Sequence, residues 1–459
     1  MNLGITQYLW CSLALIGFVL WLTWRRQAVT TGLPLCYLLA LGTIHLVGAW
    51  VSTLGSAPSD NRAAVLAGFR ECVIGASAFV VGWLAVETAM TWRTPNSSNA
   101  NARAGAEASG SRSKSRLPFA AWYLVTGAIL LGAVTPWLKG VPTVGALANC
   151  GGYLLVAGVC LRCWQAYYRG DRGNFMAWTG ASLLFPLFTM LTMGFIGYGA
   201  LAALMVLAFG MVHYRPRRHA VIGLALTMYL GLSVYVTYMR DRTELREVVW
   251  GGESYRARLE TLGKMFHEFE FFNPGKESHL RAVDERLNQN ALAGAAVNNL
   301  DSGAVEFARG ETLLQAMAAL VPRAVWPARP VRAGSPELVS RYSGIDFEPG
   351  TSVGVGQVME FYINFGRWGV MVGFFVYGVM LRLMDWKAGA WLARGDEERF
   401  ARWYVPGLAF MQAGGSLVEV AGTAAALVVL VWTVNIIGRL WLLGPGPSGP
   451  ELRNGARRA

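Results

Sequence analysis

Stretches of about 20 mostly apolar residues recur from one end of the chain to the other, the length a helix needs to cross a bilayer core. In lipid a segment must satisfy its own backbone N–H and C=O groups, so such stretches read as membrane-spanning helices. Five of them are Ile5 to Trp24, Leu33 to Leu54, Val65 to Met90, Phe119 to Leu138 and Thr143 to Trp164. Phe175 to Tyr214 is long enough for two, with a turn expected at Gly194 and Gly197. Trp403 to Leu443 reads as a second hairpin, interrupted by Gly414, Gly415 and Glu419. Ala220 to Met239 and Val358 to Met384 bring the count to about eleven, and the expected class is an all-α polytopic membrane protein. Composition agrees: 54% of the residues are hydrophobic and only 15% charged, too apolar for a disordered, collagen-like or disulfide-framework chain. The first run is too long, and too poor in a small-residue cleavage site, for a removable signal peptide.

The net charge of +12 does not by itself point to nucleic acid, because surplus Lys and Arg in a membrane chain gather in cytoplasmic loops. Arg25 and Arg26, the arginines between 93 and 116, Arg169 with Arg172, and Arg215, Arg217 and Arg218 fall on alternate loops. The positive-inside rule then places the amino terminus outside and the carboxyl terminus in the cytoplasm. The expected organisation is an amino-terminal bundle of eight spans (1–239) holding a disordered linker (94–116), a large external loop (240–356), carboxy-terminal spans (357–443) and a disordered tail (444–459). All six cysteines lie inside apolar runs. Cys160 and Cys163 have the spacing of half a zinc site but no second pair follows, so they read as packing residues, and no metal or cofactor is expected.

The external loop is near neutral, with 14 Lys plus Arg against 16 Asp plus Glu. From Arg309 to Arg341, however, there are five arginines, no lysine, and only Glu311 and Glu337 opposite them. A guanidinium grips phosphate or carboxylate oxygens bidentately and cannot lose its charge. Leu313, Leu314, Met317, Leu320 and Val321 recur at helical spacing ahead of Pro322, which predicts an amphipathic helix suited to the outer interface. Three prolines then stiffen the stretch that carries Arg323, Trp326 and Arg329, with Arg332 close behind. Taken alone, these arginines equally suit contact with bulk anionic lipid.

Ionisable residues within spans are costly and become functional candidates by default. Glu360, Tyr362 and Asn364 are expected to open the ninth span at its outer end, Arg240, Asp241 and Arg242 to close the eighth, and Glu419 to lie at the last hairpin turn. Arg70 and Glu71 suit a structural pair as well as chemistry, while His45 and Glu87 read as structural.

The run Gly310-Glu311-Thr312, then Val321-Pro322-Arg323-Ala324-Val325-Trp326-Pro327-Ala328-Arg329-Pro330, Gly350-Thr351-Ser352-Val353-Gly354 and Glu360-Phe361-Tyr362-Ile363-Asn364-Phe365-Gly366 resembles the bacterial oligosaccharide repeat-unit polymerases, the Wzy-type enzymes related to O-antigen ligases. The detailed likeness covers about Arg286 to Gly378. It implies a GT-C-like membrane glycosyltransferase at the periplasmic face of the bacterial inner membrane. Its substrates would be undecaprenyl diphosphate-linked oligosaccharides, its partners a chain-length regulator and a flippase, and it would bind no nucleic acid. The growing chain would pass from its lipid diphosphate to a sugar hydroxyl of the incoming unit. By this likeness Arg323 is the matching diphosphate-binding position. Arg286, Trp326, Arg329, Arg332, Arg341, Tyr362 and Asn364 are candidate substrate contacts, and Glu360 is the candidate base, with Glu419, Glu337 and Asp346 as rivals. Relatives often carry an arginine in a short outer turn between middle spans, where this chain has Met193-Gly194-Phe195-Ile196-Gly197. Alternatives are an O-antigen ligase, a lipid or polysaccharide transporter, and a scaffold without activity.

Overall fold

The computed structural model describes residues 4–25, 29–54, 62–93, 119–134, 150–213, 218–321, 326, 335–347 and 353–443. Among these the regular structure is helical, with no strand. In chain order the helices are α1 (Ile5–Arg25), α2 (Leu33–Val51), α3 (Arg62–Arg93), α4 (Phe119–Ile129), α5 (Gly151–Tyr168), α6 (Arg172–Ala181), α7 (Phe185–Met193), α8 (Gly197–His213) and α9 (Arg218–Trp250). The chain continues through α10 (Tyr255–His267), α11 (Glu277–Leu287), α12 (Gln289–Asp301), α13 (Glu311–Ala319), α14 (Ser335–Ser343), α15 (Gln357–Ala393), α16 (Glu397–Ala409) and α17 (Leu417–Leu443). Among the described residues six helical segments are long and apolar enough to cross a membrane: α1, α2, α3, the α6–α7 run Arg172–Met193, α15 and α17. The chain is a helical protein with the properties of a membrane protein.

The main core forms where α3 and the long arm of α15 run side by side in the same direction. Gly82 and Gly378 let the backbones touch, since a Cβ on Gly82 would lie 2.2 Å from the Phe375 carbonyl oxygen and one on Gly378 2.1 Å from that of Phe79. Ion pairs tie the seam at both ends: Arg367 to Glu71 at 2.7 Å and Arg382 to Glu87 at 2.6 Å. Arg382 also meets the fully buried Asp385. That carboxylate accepts the Thr30 and Thr31 hydroxyls at 2.6 and 2.7 Å and the N–H groups of Thr31 and Gly32 at 2.7 and 3.0 Å. A residue more than 350 positions away thus caps the start of α2 with the negative charge its dipole favours.

Three expectations about the spans are corrected. The segment expected as one straight span from Val358 is a helical hairpin, because the chain reverses at Phe365 and Gly366, whose φ of +60° suits glycine. Its short arm, 357–364, folds back so closely that a Cβ on Gly369 would lie 2.3 Å from the Phe361 carbonyl oxygen. The last hairpin does break around 410–416, but its first arm is α16, 13 residues, roughly 20 Å at 1.5 Å per residue and too short for a ~30 Å hydrocarbon core. Finally, the helix that holds the eighth span does not end with it at Arg240, Asp241 and Arg242: no glycine or proline intervenes before Gly251, and α9 runs on to Trp250. The predicted turn at Gly194 is present, with φ +76° between α7 and α8.

Helices α10 to α14 pack over one end of this bundle, hereafter the loop end. His45 of α2 and Asn290 of α12 join the layers, with Nδ1 to Oδ1 at 2.7 Å and Asn290 Nδ2 donating to the His45 carbonyl at 2.7 Å. Both residues keep the structural reading, and the partners of His45 and Glu87 come from far along the chain. The cysteines are free: Cys160 lies 3.3 Å from the Tyr404 hydroxyl and Cys163 3.6 Å from that of Thr179.

Candidate functional site

Because α9 continues past residue 240, Tyr235, Tyr238, Arg242 and Arg246 recur at intervals of three and four and share one face. That face meets the turn after α7. Tyr238 donates its hydroxyl to the Gly194 carbonyl at 2.9 Å, and Trp250 Nε1 donates to the Met193 carbonyl at 3.2 Å. The Arg246 guanidinium lies 4.4 Å from the Phe195 ring centre and donates to the Tyr238 hydroxyl at 3.3 Å. Its Nε is enclosed without a hydrogen-bond partner. Leaving such a donor unmade costs roughly 1–3 kcal/mol, more for a charged group.

Arg286 of α11 faces the same space. Its pKa is pushed below the usual arginine range, first by partial burial and then by the positive charges of Arg242 and Arg246. No carboxylate pairs with Arg242 or Arg246 among the described residues. Neighbouring Arg240, by contrast, is saturated by Asp241, Glu268 and Glu270. Three guanidiniums that repel one another, one with an unused buried donor, are an arrangement whose strain an anion would relieve.

Glu270 anchors the connection that carries α11 into place. Hydrogen bonds from Lys276 first, then Arg240 and His279, hold its carboxyl down to about 2, below the ordinary 4.5. A depressed folded-state value means the contribution to stability is complete above about pH 4.5 and is lost as pH falls toward 2. Protection against hydrogen exchange across 268–280, taken relative to the intrinsic rate at each pH, is expected to fall over that window in the wild type, and to show no such pH step in Glu270→Gln.

The other sequence candidates divide clearly. Glu360 is fully buried, and one carboxylate oxygen accepts the Leu417 N–H at 2.6 Å while the other has no partner. It therefore sits at the N-terminus of α17, where Ser416 and Glu419 form a reciprocal capping box with both bonds at 3.2 Å. The fold thus brings Glu360 and Glu419 together. Asn364, expected to contact substrate, is spent on the protein itself: it accepts the Gly310 N–H at 2.9 Å and donates to Thr312 Oγ1 and the Glu360 carbonyl at 2.7 Å. Tyr362 donates to Asp301 at 2.6 Å. Arg341 lies over the Tyr342 ring and Trp326 is exposed, while Arg323, Arg329 and Arg332 lie outside the described residues. Rivals Glu337 and Asp346 are exposed at the loop end, and no contact joins either to the three arginines. Helix α13 is present and keeps an apolar outer face, with Leu314 and Met317 about two-thirds exposed.

The amino-acid pattern did not single out Arg246 or Arg367. The signal for Arg246 was available, since no glycine or proline interrupts the chain between Gly231 and Gly251. For Arg367 there was none, because its partner Glu71 lies 296 residues away.

Residues 148–394 match the family described as Domain of unknown function (DUF8712), over more than half of the chain. The chain belongs to that family. The matched segment contains Arg242, Arg246, Arg286, Glu360 and Arg367; Arg70, Glu71 and Glu419 fall outside it. No curated protein and no solved structure matches the chain.

Proposed function

We propose that this chain is a GT-C-like glycosyltransferase of about eleven spans, one of them α16 continued by the non-helical stretch 410–416 rather than by helix alone. In this reading it polymerises undecaprenyl diphosphate-linked repeat units at the periplasmic face of the bacterial inner membrane. Its amino terminus is periplasmic, its carboxyl terminus cytoplasmic, and the loop end faces outward. The observation that carries the proposal is the convergence of Arg242, Arg246 and Arg286 on one space, with the Arg246 Nε unpaired. In the reaction a sugar hydroxyl of the incoming unit attacks the anomeric carbon of the growing chain. The carbon–oxygen bond to the lipid diphosphate breaks, and negative charge accumulates on the departing oxygens. Fixed guanidiniums at those oxygens favour the transition state over the substrate, and they need no metal to do so. Arg246 also supplies from α9 the charge that the 193–197 turn lacks compared with the enzymes this sequence resembles.

The hydroxyl proton passes to a carboxylate, and Glu419 suits that role better than Glu360. It is exposed, and its charge acts on Tyr198, whose ring lies 5.9 Å from the Phe195 ring beneath Arg246. Glu419→Gln is expected to slow transfer about 10²-fold, while Glu360→Gln leaves the turnover of folded protein near wild type. Lost turnover in Glu360→Gln at normal protein levels would return the role to that residue.

A transporter of lipid or polysaccharide is the second reading, favoured by the folded-back arm of α15 and the break between α16 and α17. Purified protein reconstituted in sealed vesicles, with lipid-linked repeat units supplied on the face of the loop end, separates the two. Longer glycans formed without translocation support the transferase; movement of the lipid-linked unit without lengthening supports the transporter. The glycan profile of a deletion strain then distinguishes a polymerase, which leaves single repeat units attached, from a ligase, which leaves finished polymer unattached. Chain-length regulator and flippase remain the expected partners.

A further inference from the structure

A second cationic cluster lies on the α3–α15 seam. Glu71, fully buried, is gripped by Arg367 through Nε at 3.2 Å to both oxygens and through Nη2 at 2.7 Å, and by Arg70 Nε at 3.0 Å. The two guanidiniums stay 48% and 36% exposed around the one carboxylate that bridges them, with the exposed Asp301 carboxylate acting on Arg367 more weakly from further off. Directly below them, an open groove of about 530 Å³ runs between the helices, lined by Ile74, Ser77, Val81, Trp368, Met371 and Phe375 among others. Its walls are almost wholly apolar. Trp368 is 73% exposed beside Arg367, and an indole favours the level of lipid headgroups.

We infer that this seam is a binding site for an anionic phospholipid, its phosphate on Arg70 and Arg367 and an acyl chain in the groove. Two half-exposed guanidiniums side by side suit the two charge-bearing oxygens of a phosphodiester. Depth favours a phospholipid over a long isoprenoid carrier: Arg70 to Val81 is eleven residues of helix, roughly 16 Å, about one leaflet of a ~30 Å core. The buried Glu71 keeps both guanidiniums aimed at the headgroup without draining their outward N–H donors. This site is separate from the three arginines of α9 and α11, and it stands whether or not the chain transfers glycans.

The test uses the full chain purified in a neutral detergent and native mass spectrometry. Phosphatidylglycerol, phosphatidylcholine and inorganic phosphate serve as probes. Phosphatidylglycerol is expected to bind roughly tenfold more tightly than phosphatidylcholine, as one or two arginines near a headgroup allow. Arg70→Gln with Arg367→Gln should erase that preference. Because the double variant leaves Glu71 buried and unpaired, Ser77→Trp is the second arm: it fills the groove, keeps the cluster, and should weaken phosphatidylglycerol binding at least tenfold. Equal binding of the two lipids by the wild type, displacement by millimolar inorganic phosphate, or an unaffected Ser77→Trp would overturn the inference.

Discussion

Replacing Arg246 and Arg286 together by glutamine is expected to reduce repeat-unit polymerisation at least 10³-fold while the protein still accumulates in membranes. In the proposed reaction each guanidinium would meet the charge that develops on the departing diphosphate, in a half-buried site. Removing a single preorganised donor of this kind ordinarily costs on the order of 10²- to 10³-fold. The two act on one space, so their losses do not add simply; the double variant sets a lower bound. Glutamine retains hydrogen-bond donors and most of the side-chain length, so packing against Phe195 and the Gly194 turn persists. The measurement is chain length from vesicles given purified lipid-linked repeat units, with protein quantified in the same membranes. Arg256→Gln is the control, because that guanidinium is exposed and pairs with Glu260 within α10. Long chains from the double variant would end the diphosphate reading of this cluster.

Asp385→Ala should be the most damaging substitution for folding. It removes the acceptor of bonds from Thr30, Thr31 and Gly32, uncaps α2, and deprives Arg382, 3% exposed, of one of its two carboxylate partners. Breaking a buried pair from one side costs about 3–5 kcal/mol, because the remaining charge stays desolvated. Thermal unfolding in detergent should therefore begin well below the wild type, and little protein should reach the membrane. Thr30→Val, which removes one hydroxyl and no charge, should cost only about 1 kcal/mol. A melting temperature unchanged in Asp385→Ala would mean that Glu87 alone satisfies Arg382.

Apolar length and turn-forming residues are local properties, which explains why most helices and the breaks near Gly194 and Gly414 could be read from the chain itself. The hairpin in α15 could not. Phe365 and Gly366 stand between Asn364 and Arg367 with no proline to mark a break, and the reversal depends on Phe361 finding Gly369 and Gly373 to pack against. The setting of Glu360 turned on the same feature: expected to open the ninth span at its outer end, it lies in the folded-back arm, which seals it against α17.

The order of residues alone determined a helical, membrane-type chain, its main break points, and the idea that arginine fixed in space is the chemistry to look for, with Arg286 among the candidates. Tertiary structure alone decided which charges meet: Arg286 with Arg242 and Arg246, Arg367 with Glu71, Asp385 with the start of α2. The reason is physical. Helix formation reads neighbours three and four positions away, whereas a charge in a low-dielectric bundle is stabilised by whatever packing brings within a few ångströms, however distant in the chain.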